Sequence, residues 1–346
     1  MGVNFSDIVP TVTRELQDLS GKTLAIDAYN AIYQFLSIIR GPDGTPLKDS
    51  RGRVTSHLAG LLYRNINLLE ADIRPAYVFD GIPHQLKAQT LAERSERRTK
   101  AQDDWKAAVT DGDIEKARCK ATQSSRMTNE IAESSRILLT HLGIPVIQAP
   151  EEGEAQAAYM AVKGDVWAAS SQDYDALLFG TPRLVRNLNI TGRRKMPGSK
   201  EYRDINIEVV ELANVLEANG LASREQLIDL AILMGTDYNP GVRGIGPKKG
   251  LKLIKEHGSA EKALASIGES VPDLGCVRDI FLHSEKMDGY KLEWRSPDRD
   301  KIVSFMCGEH EFSEDRINSA LDRLEKKKVA KKTEMPKSQA SLDRWG

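Results

Sequence analysis

Two close pairs of acidic residues constrain this chain more than any other feature. The pairs are Glu152 with Glu154 and Asp173 with Asp175. The second pair follows an apolar run, residues 166–171, that is typical of a buried strand, and alternate residues of extended backbone point the same way. The first pair stands where a helix with residues 155–162 as its body should begin, and Gly153 can bend the chain there. Each pair can therefore direct both carboxylates into one cleft.

Three further acids follow apolar runs, namely Asp27, Asp80 and Asp237. The runs before the first two, residues 23–26 and 75–79, are typical of strands, and each is followed by helix-like sequence. In open parallel sheets, ligands bind beyond the carboxyl ends of the strands. The sequence therefore predicts an α/β fold with a mostly parallel central sheet flanked by helices, and seven acids in one crevice.

So many carboxylates in one crevice require positive charge among them. At an effective dielectric constant near 20, two carboxylates about 5 Å apart repel by roughly 3 kcal/mol. All the candidate ligands are hard oxygens without interspersed cysteine or histidine, which favours Mg²⁺ or Mn²⁺ over zinc. Two such ions can stabilise both the attacking and the leaving oxygen of a phosphodiester.

Other interpretations of the acids remain open at this point. Any one of them can be a helix cap or a solvated carboxylate. A strand that ends in Asp-x-Asp also begins the haloacid-dehalogenase type of phosphatase, in which the first Asp is a nucleophile. That family has Thr or Val where Leu177 stands here. A DNA-junction binder without catalytic activity would keep the basic elements described below but would not need these acids.

The composition is that of a globular protein from a reducing compartment. Its 346 residues are 40% hydrophobic and include three scattered cysteines, which indicate no disulfide framework. No apolar run reaches transmembrane length and no signal peptide begins the chain, so we expect a cytoplasmic protein that is neither secreted nor bound to membranes. We also expect the chain to be a monomer. The formal net charge of −1 argues against indiscriminate binding to nucleic acid.

Positive charge is concentrated in local segments. The charged, helix-forming stretch 83–126 has too few apolar residues to dock one face on a core, so we expect it to stand away from the body. Lys87, Arg94 and Arg98 are seven and then four residues apart, which places them on one helix face. This stripe can hold phosphates near Asp80, although a solvated helix of mixed charge has the same pattern.

A glycine-rich hairpin follows Asp237. Gly244 and Gly246 allow backbone N–H groups to approach a phosphate at the start of the next helix, and Lys248, Lys249 and Lys252 add charge. Such a hairpin contacts the DNA backbone and not the bases, whereas a purely structural helix hairpin is the alternative.

Two other segments carry predictions. Residues 184–190 and 202–207 can form a hairpin with a basic tip at 191–195. Residues 260–326 are expected to be helical. Residues 326–336 are basic and are expected to be irregular, and residues 339–346 form the last segment of the chain. A tail that ends in Leu342 and Trp345 indicates a peptide that becomes ordered on a partner.

Over nearly its whole length the chain resembles the flap endonucleases, the structure-specific 5′ nucleases of replication and repair, and its length and short tail resemble the archaeal form. The motifs that carry the resemblance are 78–81, 152–158, 171–175 and 235–238 with the glycine hairpin. The resemblance implies a PIN-like nuclease domain, residues 1–325, with a helical arch at about 83–130, a helix-hairpin-helix element at 241–256, C-terminal helices at 260–325 and a flexible tail at 326–346.

The resemblance also implies roles for individual residues. Two Mg²⁺ ions would be held, directly or through water, by Asp27, Asp80, Glu152, Glu154, Asp173, Asp175 and Asp237. Lys87 and Arg94 would be the basic pair at the base of the arch, and Tyr33 would stack near the scissile nucleotide. Backbone carbonyls of Gly241, Val242 and Ile245 would bind K⁺. Gln339, Leu342 and Trp345 would dock on a sliding clamp, with Gly346 where the family usually has a second aromatic residue.

The implied activity is cleavage of 5′ flaps at DNA junctions, together with 5′–3′ exonuclease activity on nicked or gapped duplex. The implied biological setting is Okazaki fragment maturation and DNA repair. Selectivity would come from the shape and bending of the DNA.

Overall fold

The apolar runs that precede the acids lie side by side in one sheet. The structure, a computed structural model, describes residues 2–189, 192–195 and 202–334. Its strands are β1 Val12–Arg14, β2 Thr23–Asp27, β3 Arg74–Phe79, β4 Val146–Gln148, β5 Ala168–Ser170, β6 Arg183–Arg186, β7 Gly192–Lys195, β8 Tyr202–Ile205 and β9 Ile207–Glu211. Seven of them form a sheet in the order β1-β9-β6-β5-β2-β3-β4, in which β2 to β6 are parallel and β9 runs antiparallel to both of its neighbours, β6 and β1. The predicted fold class is confirmed.

Helices cover both faces of this sheet. They are α1 Ala28–Ile38, α2 Ser56–Glu70, α3 Ala88–Thr110, α4 Ile114–Gln123, α5 Asn129–His141, α6 Gly153–Val162, α7 Asp175–Leu178, α8 Leu212–Asn219, α9 Arg224–Met234, α10 Pro247–His257, α11 Ala260–Ile267, α12 Leu274–His283, α13 Arg299–Val303 and α14 Glu314–Glu334. Short 3₁₀ turns occur at Leu16–Leu19 and Gln85–Lys87, and a π-helical turn at Ser304–Glu309 follows α13. No helix among the described residues is long and apolar enough to cross a membrane.

Two apolar layers hold the sheet between the helices. Leu24 and Ile26 of β2 point into the layer that includes α1, α2 and α5, whereas Ala25 points into the layer that includes α6, α7 and α9. Side chains of a strand alternate between faces, so a strand covered on both sides is apolar throughout. The continuous apolar runs in the sequence have this cause.

The pairing around residue 190 differs from the predicted hairpin. β6 pairs with β9, with Arg183 opposite Glu211 and Arg186 opposite Glu208. Residues 192–195 are not a turn, because β7 pairs with β8 in a separate two-stranded sheet. Two successive ladders are thus present where the sequence predicted one, because alternation of apolar residues does not fix which register two strands adopt.

The sequence predicted that the charged stretch, residues 83–126, stands away from the body. In the structure, part of it packs against the body. Helices α3 and α4 pack on one another through buried alanines, which are Ala101, Ala108, Ala117 and Ala121. Helix α4 also lies against α1, where the Thr122 hydroxyl donates to the Ser37 carbonyl at 3.4 Å. A side chain on Gly44 would come within 2.8 Å of the Ala121 methyl. Small residues form this interface, and apolar periodicity is a poor guide to such contacts.

The C-terminal part contains two further departures from expectation. Residues 284–298, between α12 and α13, are irregular and not helical. Helix α14 continues to Glu334, whereas the sequence predicted irregular structure from residue 326 onward. Lysine, alanine and glutamate are good helix formers, so a basic composition alone does not end a helix. The predicted boundary at 325 and 326 lies inside this helix.

Candidate active site

The carboxyl ends of three adjacent strands bring four of the acids together. Asp27 is the last residue of β2, Asp80 follows β3 directly, and Asp173 and Asp175 follow β5. The order β5-β2-β3 makes these strand ends neighbours. Asp27 accepts a hydrogen bond from the Asn30 amide at 3.0 Å, and the Asn30 side chain donates to Asp173 at 3.4 Å.

The glutamate pair approaches the same crevice from the start of α6. Glu152 is the N-cap residue of α6, and Glu154 lies in its first turn. Between them, the Gly153 amide donates to Asp80 Oδ1 at 2.7 Å, and a Cβ at this position would lie 2.8 Å from the same oxygen. Glycine is therefore needed here for the close approach of Asp80, which is a different reason from the bend expected from the sequence.

Burial and mutual repulsion raise the pKa values of four of these acids. Burial and the nearby charge of Glu152 raise the pKa of Asp80 to about 6, and burial and Asp173 raise the pKa of Asp175 to about 7. The pKa values of Asp27 and Glu154 are also raised well above the usual range, chiefly by burial and then by Asp80 and Asp175 respectively. These carboxylates therefore lie close enough to one another for a cation to be needed if all are to be ionised.

Two cations from the arch region reach into the crevice. Lys87 Nζ lies 2.6 Å from Glu152 Oε2 and 3.7 Å from Asp237 Oδ2, and Arg94 forms an ion pair with Asp237. Although burial opposes it, the charge of Glu152 raises the pKa of Lys87. Asp237, which follows α9, is thereby placed beside the acids of α6 and the strands. Of the three predicted stripe residues, Lys87 and Arg94 contact the acids. Arg98 instead lies over the Tyr33 ring, 4.8 Å from its centroid.

The N-terminal segment makes a hydrogen bond to Asp175 that the sequence did not predict. The Val3 amide donates to Asp175 Oδ1 at 2.8 Å, and a Cβ on Gly2 would lie only 2.5 Å from that oxygen. Phe5, which is fully buried, packs against the Tyr174 ring at 6.1 Å. Partners 172 residues apart leave no local signal in the sequence.

The glycine hairpin lies between α9 and α10. Gly241 and Gly244 have φ values of +70° and +80°, which favour glycine, and Gly246 is the N-cap residue of α10. Val242 and Ile245 pack into the core beneath the hairpin. The lysines of the hairpin project into solvent, with the side chains of Lys248 and Lys252 80% and 76% exposed and Lys249 also exposed. The tail residues Gln339, Leu342 and Trp345 lie outside the described residues.

The donor set of the crevice fits hard divalent cations. Glu152 Oε1 and Glu154 Oε1 are buried and have no hydrogen-bond partner. Buried polar atoms without partners are rare, and an ion between the acids would satisfy them. Within the described part of the chain, no three or more Asp, Glu, His or Cys side chains are arranged to hold an ion as they stand. Lys87 and Arg94 occupy oxygens of Glu152 and Asp237, so binding of an ion there requires them to move.

Two family models match the chain, the XPG N-terminal domain over residues 1–101 and the XPG I-region over residues 143–237. Asp27 and Asp80 lie in the first, and the other five acids in the second. "Flap endonuclease 1" of Pyrococcus abyssi is 51% identical over 346 residues, which are 100% of this chain and 98% of the relative. The chain belongs to the flap endonuclease family. "Flap endonuclease 1" of Aeropyrum pernix is also 51% identical, over 100% of this chain and 99% of the relative.

Solved structures of related nucleases agree with this assignment. Flap endonuclease-1 from Methanococcus jannaschii superposes with a TM-score of 0.75 at 42% identity, covering 95% of this chain and 100% of that one. The catalytic core of Rad2 in complex with DNA substrate gives a TM-score of 0.70 at 27% identity, covering 94% and 100%. This flap endonuclease is a hydrolase of phosphodiester bonds that cleaves 5′ flaps in DNA, and its family is metal-dependent. The phosphatase and the non-catalytic alternatives are thereby excluded.

Proposed function

We propose that the seven acids of the crevice hold two Mg²⁺ ions, which Mn²⁺ can replace, and that flap cleavage takes place on them. The observation that supports this most directly is the pair of buried, unpartnered oxygens on Glu152 and Glu154. The pair lies among carboxylates whose pKa values are raised by burial and by one another. When bound, the ions supply a water nucleophile at neutral pH and neutralise charge on the leaving oxygen.

Lys87 and Arg94 have a separate role in this proposal. With substrate absent they neutralise Glu152 and Asp237; with substrate bound they turn to the scissile phosphate and hold it beside the acids. Both then act as cations in a largely buried site, where charge stabilisation is stronger than in water. Tyr33, together with Arg98 on its ring, offers a stacking surface for the nucleotide next to the cleaved bond.

The substrate range follows from where the duplex and the single strand lie. The 5′ single strand passes the arch formed by α3 and α4, and the duplex lies along the glycine hairpin. The same geometry accepts a frayed nick or gap, so we infer 5′–3′ exonuclease activity besides flap cleavage, and roles in Okazaki fragment maturation and repair. The chain acts as a monomer in which the part up to the end of α14 supplies the nuclease.

The metal requirement is tested with labelled flap, nicked and single-stranded DNA, each incubated with Mg²⁺ or with a chelator. We expect cleavage near the junction of the flap, leaving a 5′-phosphate, slower release of nucleotides at the nick, and no cutting of the single strand. Chelation should stop all cleavage. Cleavage that continues in excess chelator would contradict the proposal.

At the hairpin, Gly246 and the first turn of α10 present backbone N–H groups to a DNA phosphate, with Lys248, Lys249 and Lys252 around them. Carbonyl groups of Gly241, Val242 and Ile245 are proposed to bind K⁺, which would add positive charge at the same place. This element contacts the DNA backbone, so it contributes affinity and not sequence preference.

Replacing Lys248 and Lys249 together by Ala should weaken duplex binding and lower its dependence on salt. Each phosphate contact contributes about 0.9 to the slope of log affinity against log salt, so the slope should fall by about 1.8. The measurement is a binding titration at several KCl concentrations. A control pair, Lys326→Ala with Lys327→Ala on α14, should leave the slope unchanged, and an unchanged slope in the hairpin variant would argue against this surface.

The C-terminal tail is proposed to dock on a sliding clamp through Gln339, Leu342 and Trp345. Deleting residues 339–346 should leave cleavage of a flap unchanged in the absence of the clamp, because the residues proposed for metal, phosphate and duplex binding all lie between positions 27 and 252. Stimulation by the clamp should be lost. Stimulation that persists in the truncated protein would show that the clamp binds elsewhere.

A further inference from the structure

An irregular segment, residues 284–298, crosses from α12 to α13 and is called the strap below. The far end of the strap is fixed near the amino ends of β3 and β4, whereas the acids lie at the carboxyl ends of the strands. There, Trp294 Nε1 donates to the Pro75 carbonyl at 2.6 Å, and the Arg295 amide donates to the Gly143 carbonyl at 2.9 Å. Its near end runs along α6. The strap thus has no secondary structure of its own and is fixed by contacts to other elements.

The innermost of these contacts is a pair of hydrogen bonds to Gln156. The Gln156 side chain is fully buried; its Nε2 donates to the Met287 carbonyl at 3.0 Å, and its Oε1 accepts from the Met287 amide at 2.8 Å. Gln156 lies one turn after Glu152, and its own amide donates to the Glu152 carbonyl at 3.2 Å. The strap is therefore fixed to the turn of α6 that carries Glu152 and Glu154.

The chain just before the strap leads to Asp237, another acid of the crevice. Phe281, at the end of α12, is buried and packs against the Tyr238 ring with centroids 5.5 Å apart. Tyr238 follows Asp237 directly in the chain. Phe281, which packs on the neighbour of Asp237, and Met287, which binds α6 near Glu152, are thus only six positions apart in the chain.

We propose that Gln156 is a positioning residue for the metal site: by binding both backbone groups of Met287 it fixes α6 relative to α9 and α12, and so sets the spacing between the glutamate pair and Asp237. This inference rests on the proposed assignment of the acids as metal ligands. Groups that orient metal ligands without touching the metal commonly change its affinity by 10- to 100-fold when they are removed. A purely structural contact would change stability without changing metal affinity selectively.

A second contact between the strap and α6 provides the matched control. One turn further along, the Tyr159 hydroxyl donates to Asp288 at 2.8 Å, and Lys163 lies 3.0 Å from the same carboxylate. The Asp288 side chain is 73% exposed, so this contact lies at the surface. Tyr159→Phe removes a bond between the same two elements, but farther along α6 from the glutamates and between two side chains.

The test compares Gln156→Met with Tyr159→Phe and the unchanged protein. Methionine keeps the length and most of the volume of glutamine but can form neither hydrogen bond. Three quantities are measured: Mn²⁺ affinity by calorimetry without DNA, flap DNA affinity without divalent ions, and cleavage rate as a function of Mg²⁺ concentration.

We expect Gln156→Met to bind Mn²⁺ about tenfold more weakly and to need correspondingly more Mg²⁺. Its DNA affinity should be unchanged, and its cleavage rate should recover at saturating Mg²⁺. Unchanged Mn²⁺ affinity in Gln156→Met would overturn the inference, as would an equal loss in Tyr159→Phe. If the unchanged protein itself bound no Mn²⁺, the proposed metal site would be wrong, and the inference would fail with it.

Discussion

Replacing Asp175 by Asn should lower flap cleavage by about a thousandfold while leaving duplex binding nearly unchanged. The substitution keeps the shape of the side chain and its capacity to accept the Val3 amide, but it removes a negative charge from the proposed ligand set. Stabilisation of transition-state charge by a bound metal is worth several kcal/mol, and about 4 kcal/mol corresponds to this loss. The measurement is single-turnover cleavage at saturating enzyme, with binding measured separately in the absence of divalent ions.

The matched control is Asp279→Asn on α12, an exposed carboxylate that is not one of the seven crevice acids. It makes the same chemical change and should cleave at the rate of the unchanged protein. Because neutralising one of several repelling carboxylates relieves repulsion, Asp175→Asn should also fold at least as stably as the unchanged protein. Normal cleavage by Asp175→Asn would remove this residue from the metal site.

Replacing Lys87 by Met should lower cleavage by about a hundredfold or more at saturating Mg²⁺. The proposed role of Lys87 is to hold the scissile phosphate, and loss of one preorganised charge-stabilising donor commonly costs 10²- to 10³-fold in rate. Methionine keeps the apolar stem and removes only the ammonium group, which lies 6.0 Å from the centre of the Tyr238 ring. The loss should appear in the single-turnover rate and not in duplex affinity, since the duplex is bound at the hairpin.

Lys100→Met provides the control for this prediction, because Lys100 lies on the same helix, α3, but is exposed. It should cleave as the unchanged protein does. A Lys87→Met enzyme that cleaves normally would show that the ion pair with Glu152 serves only to neutralise the crevice in the absence of substrate. Equal losses in both variants would point instead to a general effect of charge along the arch.

The strand ends and the acids were predictable because both depend on local patterns. A strand buried on both faces is a short apolar run, and in a parallel sheet the residue after it lies at the ligand-binding edge. Asp27 and Asp80 follow this rule directly. The glutamate pair was placed by its helix start. Arg94 lies on α3 as the helical spacing predicted, whereas Lys87 lies in the 3₁₀ turn just before that helix.

Contacts between distant segments were not predictable in the same way. The Val3 amide reaches Asp175, and Gln156 binds Met287, across 172 and 131 residues respectively, with no pattern in either partner. The packing of α4 on α3 depends on alanines, and its contact with the chain after α1 depends on Gly44; both residue types carry little hydrophobic signal. The two ladders between residues 183 and 211 required a choice of register that alternation does not make.

The central claim is that the crevice holds two divalent ions among these seven acids, and anomalous diffraction from Mn²⁺-soaked crystals tests it most directly. The account predicts two anomalous peaks a few ångströms apart, bounded by Asp80, Glu152, Glu154, Asp173 and Asp175, with Lys87 and Arg94 withdrawn from Glu152 and Asp237. A crevice without a peak at saturating Mn²⁺, or peaks only at surface carboxylates elsewhere, would contradict it.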